Sequence, residues 1–573
     1  MVWTRLTDGL TAALRGAGAW DAARPPRIEL AIPRERAHGD WTTNVALIVA
    51  KERRVNPREL ATRLAAAFPR DPELFASVEV AGPGFVNFRY APAFLNRLPG
   101  EILAAGASYG TSRGGAGERV LVEYVSANPT GPLNVVSARA AAVGAALVRL
   151  LRATGHAAEG EFYVNDVGNQ MDLLGRSLAA RFSERGGTPL AVPEEGYQGE
   201  YVKTLAEALP AADAVAALAR SDFAWFRDQA LARMLEWQRK DLADYGAEFA
   251  RWYRESEVHD SGAVQRALAD LEARGVTYRG RVPEVAPEGR TPEADEGDAR
   301  ADATYLRTSR FGDDTDRVIV RGNGTPTYLL PDIAYHRDKR ARGFHHAIDL
   351  WGPDHHGYIP RMQAALRALG LEPDFLEVLI VQQVNLLAGG QPVRMSKRAG
   401  EFVTLRDLME DVGADCAKFF FLMRSTSAHL DFDLDLARRQ NDENPAYYVQ
   451  YAHARIAALL RFAAERGFTP APAPGAFDDP AEIALIRQLA AFPEVVRGAA
   501  AAHEPHRLPA YLIETAAEFH RFYHACRVVT DDMARSRLRL QLSGATAAVL
   551  QNGLSLLGVS APERMDRAVE VSS

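Results

Sequence analysis

Cysteine is scarce in this sequence. Only Cys416 and Cys526 occur among 573 residues. Two thiols cannot supply a disulfide framework or a four-thiolate zinc site, and such scarcity is typical of a reducing compartment. We therefore expect a cytoplasmic protein without a structural metal.

Long apolar runs are also missing. No stretch reaches the roughly 18 consecutive apolar residues that a membrane-spanning helix needs, so we expect no membrane association. Residues 1–20 alternate apolar and polar side chains, include Asp8 and lack an apolar core. A secretory signal is therefore not expected.

The sequence has no excess of basic residues. Lys and Arg together number 67 against 74 Asp and Glu, which gives a net charge of −7. Because a large protein needs only one basic face to bind a polyanion, total charge leaves the function open. The length predicts about three or four domains, with ample chain for several cores.

The first part of the chain reads as a small α+β module. Its predicted helices span residues 6–14 and 57–68, its strands 28–32 and 85–90, and a turn lies at 81–84. The Gly-rich stretch 106–117 is interpreted as a linker. It lacks a Gly-Lys-Ser/Thr ending and precedes a strand, unlike a phosphate-binding loop.

The central part alternates strands and helices. A strand at 120–125, a helix at 135–153 and a strand at 161–164 form the unit of a parallel sheet. Further strands are predicted at 317–320, 346–351 and 376–381, with a helix at 360–369. The pattern predicts a doubly wound sheet interrupted by a mostly helical insert at about 171–275. Residues 281–303 are interpreted as a surface loop, and the chain from 441 as helical with a break at 469–475.

Two segments are suited to binding anions. The turn at 128–132 joins a strand to a helix, where free backbone N–H groups and the helix dipole attract negative charge, although a turn without a ligand has the same pattern. Residues 394–400 place Arg394, Lys397 and Arg398 within five positions. They form either a solvated basic loop or a mobile loop whose lysine neutralises phosphate charge.

Two other segments offer side chains for recognition. Residues 351–358 follow an apolar strand, where a nucleotide commonly binds. A metal site with His345, His346, His355 and His356 is disfavoured because the spacing is not that of a helical His pair. Tyr328 and Asp332 combine a ring with a carboxylate, as a guanidinium pocket requires. Alternatively, Asp332 caps a helix that begins at residue 333.

Taken in this order, the segments closely resemble bacterial arginyl-tRNA synthetases, and the resemblance covers nearly the whole chain. The most specific stretches are residues 122–139, 161–170, 328–336, 351–361, 384–408 and 444–455. Residues 33–40, 81–88 and 557–565 are similar to that family's N-terminal domain and C-terminus.

The resemblance implies a multidomain α/β protein with a Rossmann-type class I core. Its expected parts are an α+β domain at 1–110 that contacts tRNA, a catalytic domain at 118–390, a KMSKS-like loop and connection at 391–440, and an all-α anticodon-binding domain at 441–573. It further implies a monomeric ligase that attaches L-arginine to tRNA(Arg) through arginyl-adenylate, releasing AMP and pyrophosphate. ATP enters with Mg²⁺, and arginine activation needs bound tRNA.

The resemblance also assigns residues. Asn128 would hold the amino-acid end of arginine, Tyr328 and Asp332 would read its guanidinium, and Glu161 would be a second carboxylate. The residues expected to bind ATP are Gly131, Pro132, Gly352, Asp354, His355, Gly357, Met395, Ser396 and Lys397. Lys397 is also expected to be catalytic.

One departure from the family concerns the class I signature His-x-Gly-His. This chain has Asn134-Val135-Val136-Ser137 instead. Asn134 and Ser137 can donate hydrogen bonds but carry no charge, and Arg139 is expected to supply the missing charge. The alternative is a catalytically impaired, synthetase-like protein that binds tRNA. Tyr447, Tyr448 and Tyr451 are expected either to stack on anticodon bases or to pack within the helical domain.

Overall fold

The computed structural model describes residues 2–33, 35–187, 189–281, 302–393, 403–468 and 475–565. In these ranges the helices are α1 Val2–Gly16, α2 Val45–Arg53, α3 Pro57–Ala67, α4 Pro92–Ala105, α5 Val135–Ala153, α6 Asn169–Arg185, α7 Glu200–Glu207, α8 Ala211–Ala219, α9 Phe223–Asp244, α10 Glu255–Asp260, α11 Ala263–Ala273, α12 Leu329–Ala341, α13 Ile359–Ala368, α14 Leu405–Val412, α15 Ala414–Leu422, α16 Leu434–Arg438, α17 Pro445–Glu465, α18 Pro480–Ala490, α19 Phe492–Ala501, α20 Arg507–Ala525 and α21 Met533–Leu557. The strands are β1 Leu30–Ala31, β2 Trp41–Thr43, β3 Phe75–Ala81, β4 Phe85–Tyr90, β5 Arg119–Glu123, β6 Ala157–Val164, β7 Arg251–Arg254, β8 Thr277–Arg281, β9 Asp302–Leu306, β10 Arg317–Val320, β11 His346–Trp351, β12 Leu376–Ile380, β13 Val384–Ala388, β14 Gln391–Pro392 and β15 Leu430–Asp433. Across the described ranges, no helix combines the length and the apolar character needed to span a bilayer.

The N-terminal module is built on a four-stranded antiparallel sheet with the order β1-β2-β4-β3. The predicted strand at 85–90 is confirmed as β4, and the predicted turn joins β3 to β4. Gly84 suits this turn because its φ is +150° and an added Cβ would lie 3.1 Å from the Pro57 carbonyl oxygen. The predicted strand at 28–32 shortens to the two-residue edge strand β1.

A five-stranded, all-parallel sheet forms the centre, with the order β12-β11-β5-β6-β7. From β5 the chain adds β6 and β7 on one side, then β11 and β12 on the other, which confirms the doubly wound prediction. The order in which strands are added reverses between β5 and β11. Ligands of such sheets bind beyond the carboxyl ends of the strands at this point. Helix α5, predicted with its observed bounds, packs against β6 and against α15, α19 and α21.

Two strand predictions are corrected. Residues 317–320 do form a strand, β10, but it belongs to a separate antiparallel sheet with the order β10-β9-β8. Conversely, residues 251–254 lie within the predicted helical insert but form β7, which pairs in parallel with β6. The helical insert between β6 and β7 therefore comprises α6 to α9. A short apolar run does not reveal which strand it will pair with.

The C-terminal part is a bundle of α17 to α21, as predicted from residue 441 onward. The Tyr447 side chain is buried, and its ring stacks on Tyr451 with 6.0 Å between centroids. Tyr448 packs against His520 at 5.3 Å. The predicted packing role is thus confirmed for Tyr447. Residues 469–474 of the predicted loop lie outside the described residues.

Candidate active site

The turn after β5 leads into the point where the sheet reverses direction. Val125 and Ser126 have φ values of +70° and +42°, and a β-branched residue rarely adopts this left-handed conformation. The Ser126 hydroxyl donates to Glu123 at 3.0 Å and accepts from the Tyr163 backbone N–H at 3.1 Å. Strained backbone that is fixed by its surroundings is common at ligand sites.

The helical insert holds the predicted substrate turn at 128–132. Gln238 on α9 donates its amide to the carbonyls of Gly131 at 2.9 Å and Asn128 at 3.3 Å. The Tyr201 hydroxyl on α7 donates to the Thr130 carbonyl at 2.8 Å. The Asn128 side chain is itself exposed and donates to Gln170 at the start of α6. Gly131 and its neighbour Pro132 are half-buried.

Asn134 is the N-cap of α5. Its side-chain oxygen accepts from the backbone N–H groups of Val136 and Ser137, both at 3.0 Å. The departure from the family signature therefore gives the helix a good cap. Asn134 also forms an isolated β-bridge with Thr404, which lies just after residues 394–402.

Helix α14 follows Thr404 and is joined to the insert. Arg406 donates to Asp241 at 2.6 and 3.0 Å and to Asp244 at 2.6 Å, and both acidic residues lie in the last turns of α9. The predicted loop residues Arg394, Met395, Ser396, Lys397 and Arg398 lie outside the described residues. The described residues on either side thus place only the ends of this segment.

Arg139 does not supply charge to the site, which corrects the sequence-based expectation. Its side chain is fully buried and donates to the carbonyls of Gln382, Ser425 and Ala428 at 2.8–3.0 Å. Burial lowers the pKa of Arg139 to about 10. The residue ties α5 to loops of the core and therefore has a structural role.

Asp332 lies in the first turn of α12, which begins at Leu329. It is therefore not the N-cap, and that alternative is wrong. The Tyr358 hydroxyl donates to its carboxylate at 2.7 Å. Burial raises the pKa of Asp332, while Tyr358 and nearby positive charges oppose the rise. Tyr328, directly before the helix, has 76% of its surface exposed.

Glu255 lies close enough to Asp332 for their charges to interact, and the sequence analysis does not identify it. Burial, Asp332 and Asp166 together raise the pKa of Glu255 to about 7. A carboxylate whose pKa is raised by neighbouring carboxylates belongs to a site that favours a cation. Glu255 directly follows the short strand β7. The sequence analysis predicts helices in this range, so it does not place an acidic residue at the end of a strand.

Glu161 is already paired within the chain, which argues against its predicted role as a carboxylate that binds arginine. Its carboxylate is fully buried and accepts from Arg342 at 2.6 and 2.8 Å and from the Tyr335 hydroxyl at 2.7 Å. A guanidinium of the chain itself occupies Glu161. Glu255 is thus the carboxylate beside Asp332.

The segment after β11 presents exposed polar groups at the carboxyl end of the sheet. Residues 353–358 form a 3₁₀ turn that carries Asp354, His355 and Gly357. The side chains of Asp354 and His355 are largely exposed, and an added Cβ at Gly352 would lie 2.5 Å from the Asp354 carboxylate. The predicted adenosine-side residues are therefore accessible to a ligand.

One group of described residues has the spacing of metal ligands. His346, Glu377 and His503 place donor atoms within 4.8 Å of one another. His503 Nδ1 lies 3.0 Å from Glu377, an ordinary hydrogen bond that needs no ion. This group joins the core sheet to the loop between α19 and α20 and does not include His345, His355 or His356.

Comparisons with known proteins give consistent matches along the chain. Residues 4–90 match the arginyl tRNA synthetase N terminal domain, 100–419 the catalytic domain of class I (R) tRNA synthetases, and 449–565 the DALR anticodon binding domain. The chain is 44% identical over 98% of both chains to arginine–tRNA ligase from Moorella thermoacetica, and 43% identical over 97% of both to that from Geobacillus kaustophilus. It shares its fold with Thermus thermophilus arginyl-tRNA synthetase, with a TM-score of 0.77, 24% identity, and coverage of 99% of this chain and 100% of that one.

Proposed function

This chain belongs to the arginyl-tRNA synthetase family, and from that premise we propose how its residues attach L-arginine to tRNA(Arg). The protein is a class I arginine–tRNA ligase. ATP is a substrate and enters as its Mg²⁺ complex. None of the matched families or relatives favours the alternative of a catalytically impaired tRNA-binding protein.

The proposed reaction has two steps. A carboxylate oxygen of arginine forms a bond to the α-phosphorus of ATP while the bond to the β-phosphate oxygen breaks, which gives arginyl-adenylate and pyrophosphate. A terminal ribose hydroxyl of tRNA then forms an ester with the arginyl carbonyl carbon, loses its proton, and releases AMP. The protein contributes mainly orientation and charge neutralisation.

The pair Asp332 and Glu255 carries the assignment of the arginine site. Both carboxylates are partly buried, and burial raises the pKa of each. A guanidinium between them would favour the charged form of each carboxylate and would donate hydrogen bonds to both in a fixed geometry. The exposed ring of Tyr328 is available to cover the planar cation, and Asn128 to hold the amino-acid end.

In this proposal ATP binds to the residues at the start of α5 and to those after β11. Asn134 and Ser137 would donate hydrogen bonds to the ATP phosphates, aided by the dipole of α5 and by the turn at Gly131 and Pro132. The accessible groups of Gly352, Asp354, His355 and Gly357 would contact the adenosine. Met395, Ser396 and Lys397, which lie outside the described residues, would contact ATP, with the Lys397 charge on the phosphates.

The chain's further parts have separate roles in this proposal. Residues 1–110 contact tRNA, 118–390 form the catalytic domain with its insert, 391–440 are the loop and connection, and 441–573 bind the anticodon. The protein acts as a monomer in the cytoplasm. Two cysteines without a disulfide are in keeping with that compartment. Sedimentation equilibrium tests the monomer, and ATP–pyrophosphate exchange with and without tRNA(Arg) tests the expected tRNA requirement.

Replacing Asp332 with Asn tests the arginine site. The carboxamide keeps the size but loses the charge, so we expect the KM for arginine in pyrophosphate exchange to rise by about a hundredfold or more, with the KM for ATP nearly unchanged. Asp338→Asn, on the same helix but paired with Arg342, is the matched control and should keep the parental KM for arginine. Equal KM values for the two variants would remove Asp332 from the site.

A further inference from the structure

A buried ionic network lies beneath the helix that carries Asp332. Lys339, on α12, has no exposed surface and donates to Glu123 at 2.6 Å and to both oxygens of Asp349 at 2.8 and 3.0 Å. Glu123 ends β5 and Asp349 lies in β11, the two strands that border the reversal of the sheet. The network therefore fixes α12 to the strands that frame the site.

His336 connects this network to the pocket. Its Nε2 lies 2.9 Å from the Asp349 carboxylate, and its Nδ1 lies 2.8 Å from the main-chain carbonyl oxygen of Asp332. Both partner atoms only accept hydrogen bonds, so both ring nitrogens donate in this geometry. The buried ring is then a cation that holds two acceptors in place.

We propose that His336 is a positioning residue for arginine recognition, whose doubly donating ring fixes the first turn of α12 against Asp349 and places a positive charge beside Asp332. The inference rests on the proposed function, in which Asp332 binds the guanidinium. Burial raises the pKa of Asp332, and the Tyr358 hydroxyl and the charges of His336 and Lys339 oppose that rise. His336 thereby helps to keep Asp332 ionised for its ligand.

Several other titratable groups face this region and remain in place when His336 is replaced. They are Glu123 on β5, Tyr163 on β6, Glu255 on α10, Tyr335 and Lys339 on α12, Asp349 on β11, and Tyr358 before α13. Their balance sets the pH at which Asp332 loses its charge. Removal of one cation from this set moves that pH upward.

Two neutral variants of the full-length chain separate the two bonds of the ring. The amide of His336→Gln reaches roughly the position of Nε2 and keeps the bond to Asp349, whereas that of His336→Asn reaches that of Nδ1 and keeps the bond to the Asp332 carbonyl. The KM values for arginine and for ATP are measured by pyrophosphate exchange with saturating tRNA(Arg) between pH 6 and 8.5.

We expect His336→Gln to raise the KM for arginine about tenfold at pH 8, because a charge-assisted hydrogen bond to the turn is lost. His336→Asn should raise it less at pH 8. Both variants should show a steeper rise in this KM toward pH 6 than the parent, in which Glu255 already gains a proton over this range, since loss of the His336 charge raises the pKa of Asp332. The KM for ATP should stay near the parental value in both.

His453→Gln is the matched control. His453 is also buried, and its Nδ1 lies 2.9 Å from the Pro562 carbonyl oxygen, but it lies in the helical bundle. It should keep the parental KM for arginine at every pH. Parental KM and pH profile in both His336 variants, or a loss of melting temperature or kcat alone, would overturn the inference. Failure of the parent chain to catalyse arginine-dependent ATP–pyrophosphate exchange would instead contradict the proposed function. If one of the two His336 variants does not fold, the other alone suffices for the test.

Discussion

Replacing Lys339 with methionine tests how much the buried network stabilises the core. The amine contacts two carboxylates, those of Glu123 and Asp349, and is itself without exposed surface. Methionine fills a similar volume but leaves both carboxylates without their cation. Removing one partner of a buried ion pair costs about 3–5 kcal/mol, so the core should lose that much stability near neutral pH.

The sign of the pH dependence follows from the pKa shifts. Burial acts against the charge of Lys339, but Asp349 and Glu123 raise its pKa above the ordinary value. Its contribution is present below about pH 10.4 and is lost as the pH rises through the folded pKa. Burial also opposes the charge of Asp349, but Lys339 and His336 lower its pKa to about 2. This contribution is present above about pH 3.9 and is lost as the pH falls toward 2.

Between about pH 5 and 9 both contributions are therefore complete in the parent. In Lys339→Met the two carboxylates lose the cation that lowers the pKa of each, and they can relieve the penalty by binding protons. The difference in stability between parent and variant should accordingly be largest near pH 8 and smaller near pH 5.

Hydrogen exchange of the β5 and β11 amides is the direct assay, because a multidomain chain does not melt in one step. We expect their protection in Lys339→Met to fall by about 10²–10⁴-fold at pH 8. Lys203→Met, which breaks a surface pair with Glu200, is the matched control and should leave these amides protected. Unchanged protection in Lys339→Met, or a loss of equal size at pH 5 and 8, would refute the reasoning.

Two further predictions concern the start of α5 and the contact between the core and the bundle. Asn134→Ala and Asn56→Ala each remove a helix N-cap worth about 1 kcal/mol, but only the former should also lower kcat for arginylation; equal kcat values would contradict a catalytic role for Asn134. His346 and His503 lower the pKa of Glu377 to about 2, and although burial opposes it, Glu377 raises the pKa of His346. These contributions are complete between about pH 4.5 and 6.5 and fade as His346 loses its proton. Glu377→Gln should therefore lower the hydrogen-exchange protection of the β11 and β12 amides more at pH 6 than at pH 8.5, and an equal loss at both would be inconsistent with this pairing.

Local patterns predicted the elements that position the site. Helix α5 begins and ends where the sequence predicts because an Asn cap, a continuous apolar face and a closing Gly155 all lie within one segment. The turn at 128–132 and the segment after β11 were found for the same reason. Each is a short polar stretch directly after an apolar strand, and the order of the strands brings these stretches to one edge of the sheet.

Long-range pairing could not be predicted in the same way. Glu161 looks like a free carboxylate in the sequence, yet Arg342, its partner, lies 181 residues further along the chain. Arg139 likewise lies close to the signature in sequence, but its three carbonyl partners come from distant loops. Glu255 was missed because a four-residue strand between helices has too few positions to show its periodicity.

The end of α9 contacts both the turn at 128–132 and the start of α14. Gln238 donates to the Gly131 carbonyl in the turn at 128–132, and Asp241, about one helical turn later, accepts from Arg406 at the start of α14. The two residues are separated by only about 4.5 Å along the helix axis, so their hydrogen bonds are held by one rigid helical turn. A displacement of the end of α9 would therefore move the turn at 128–132 and the start of α14 together.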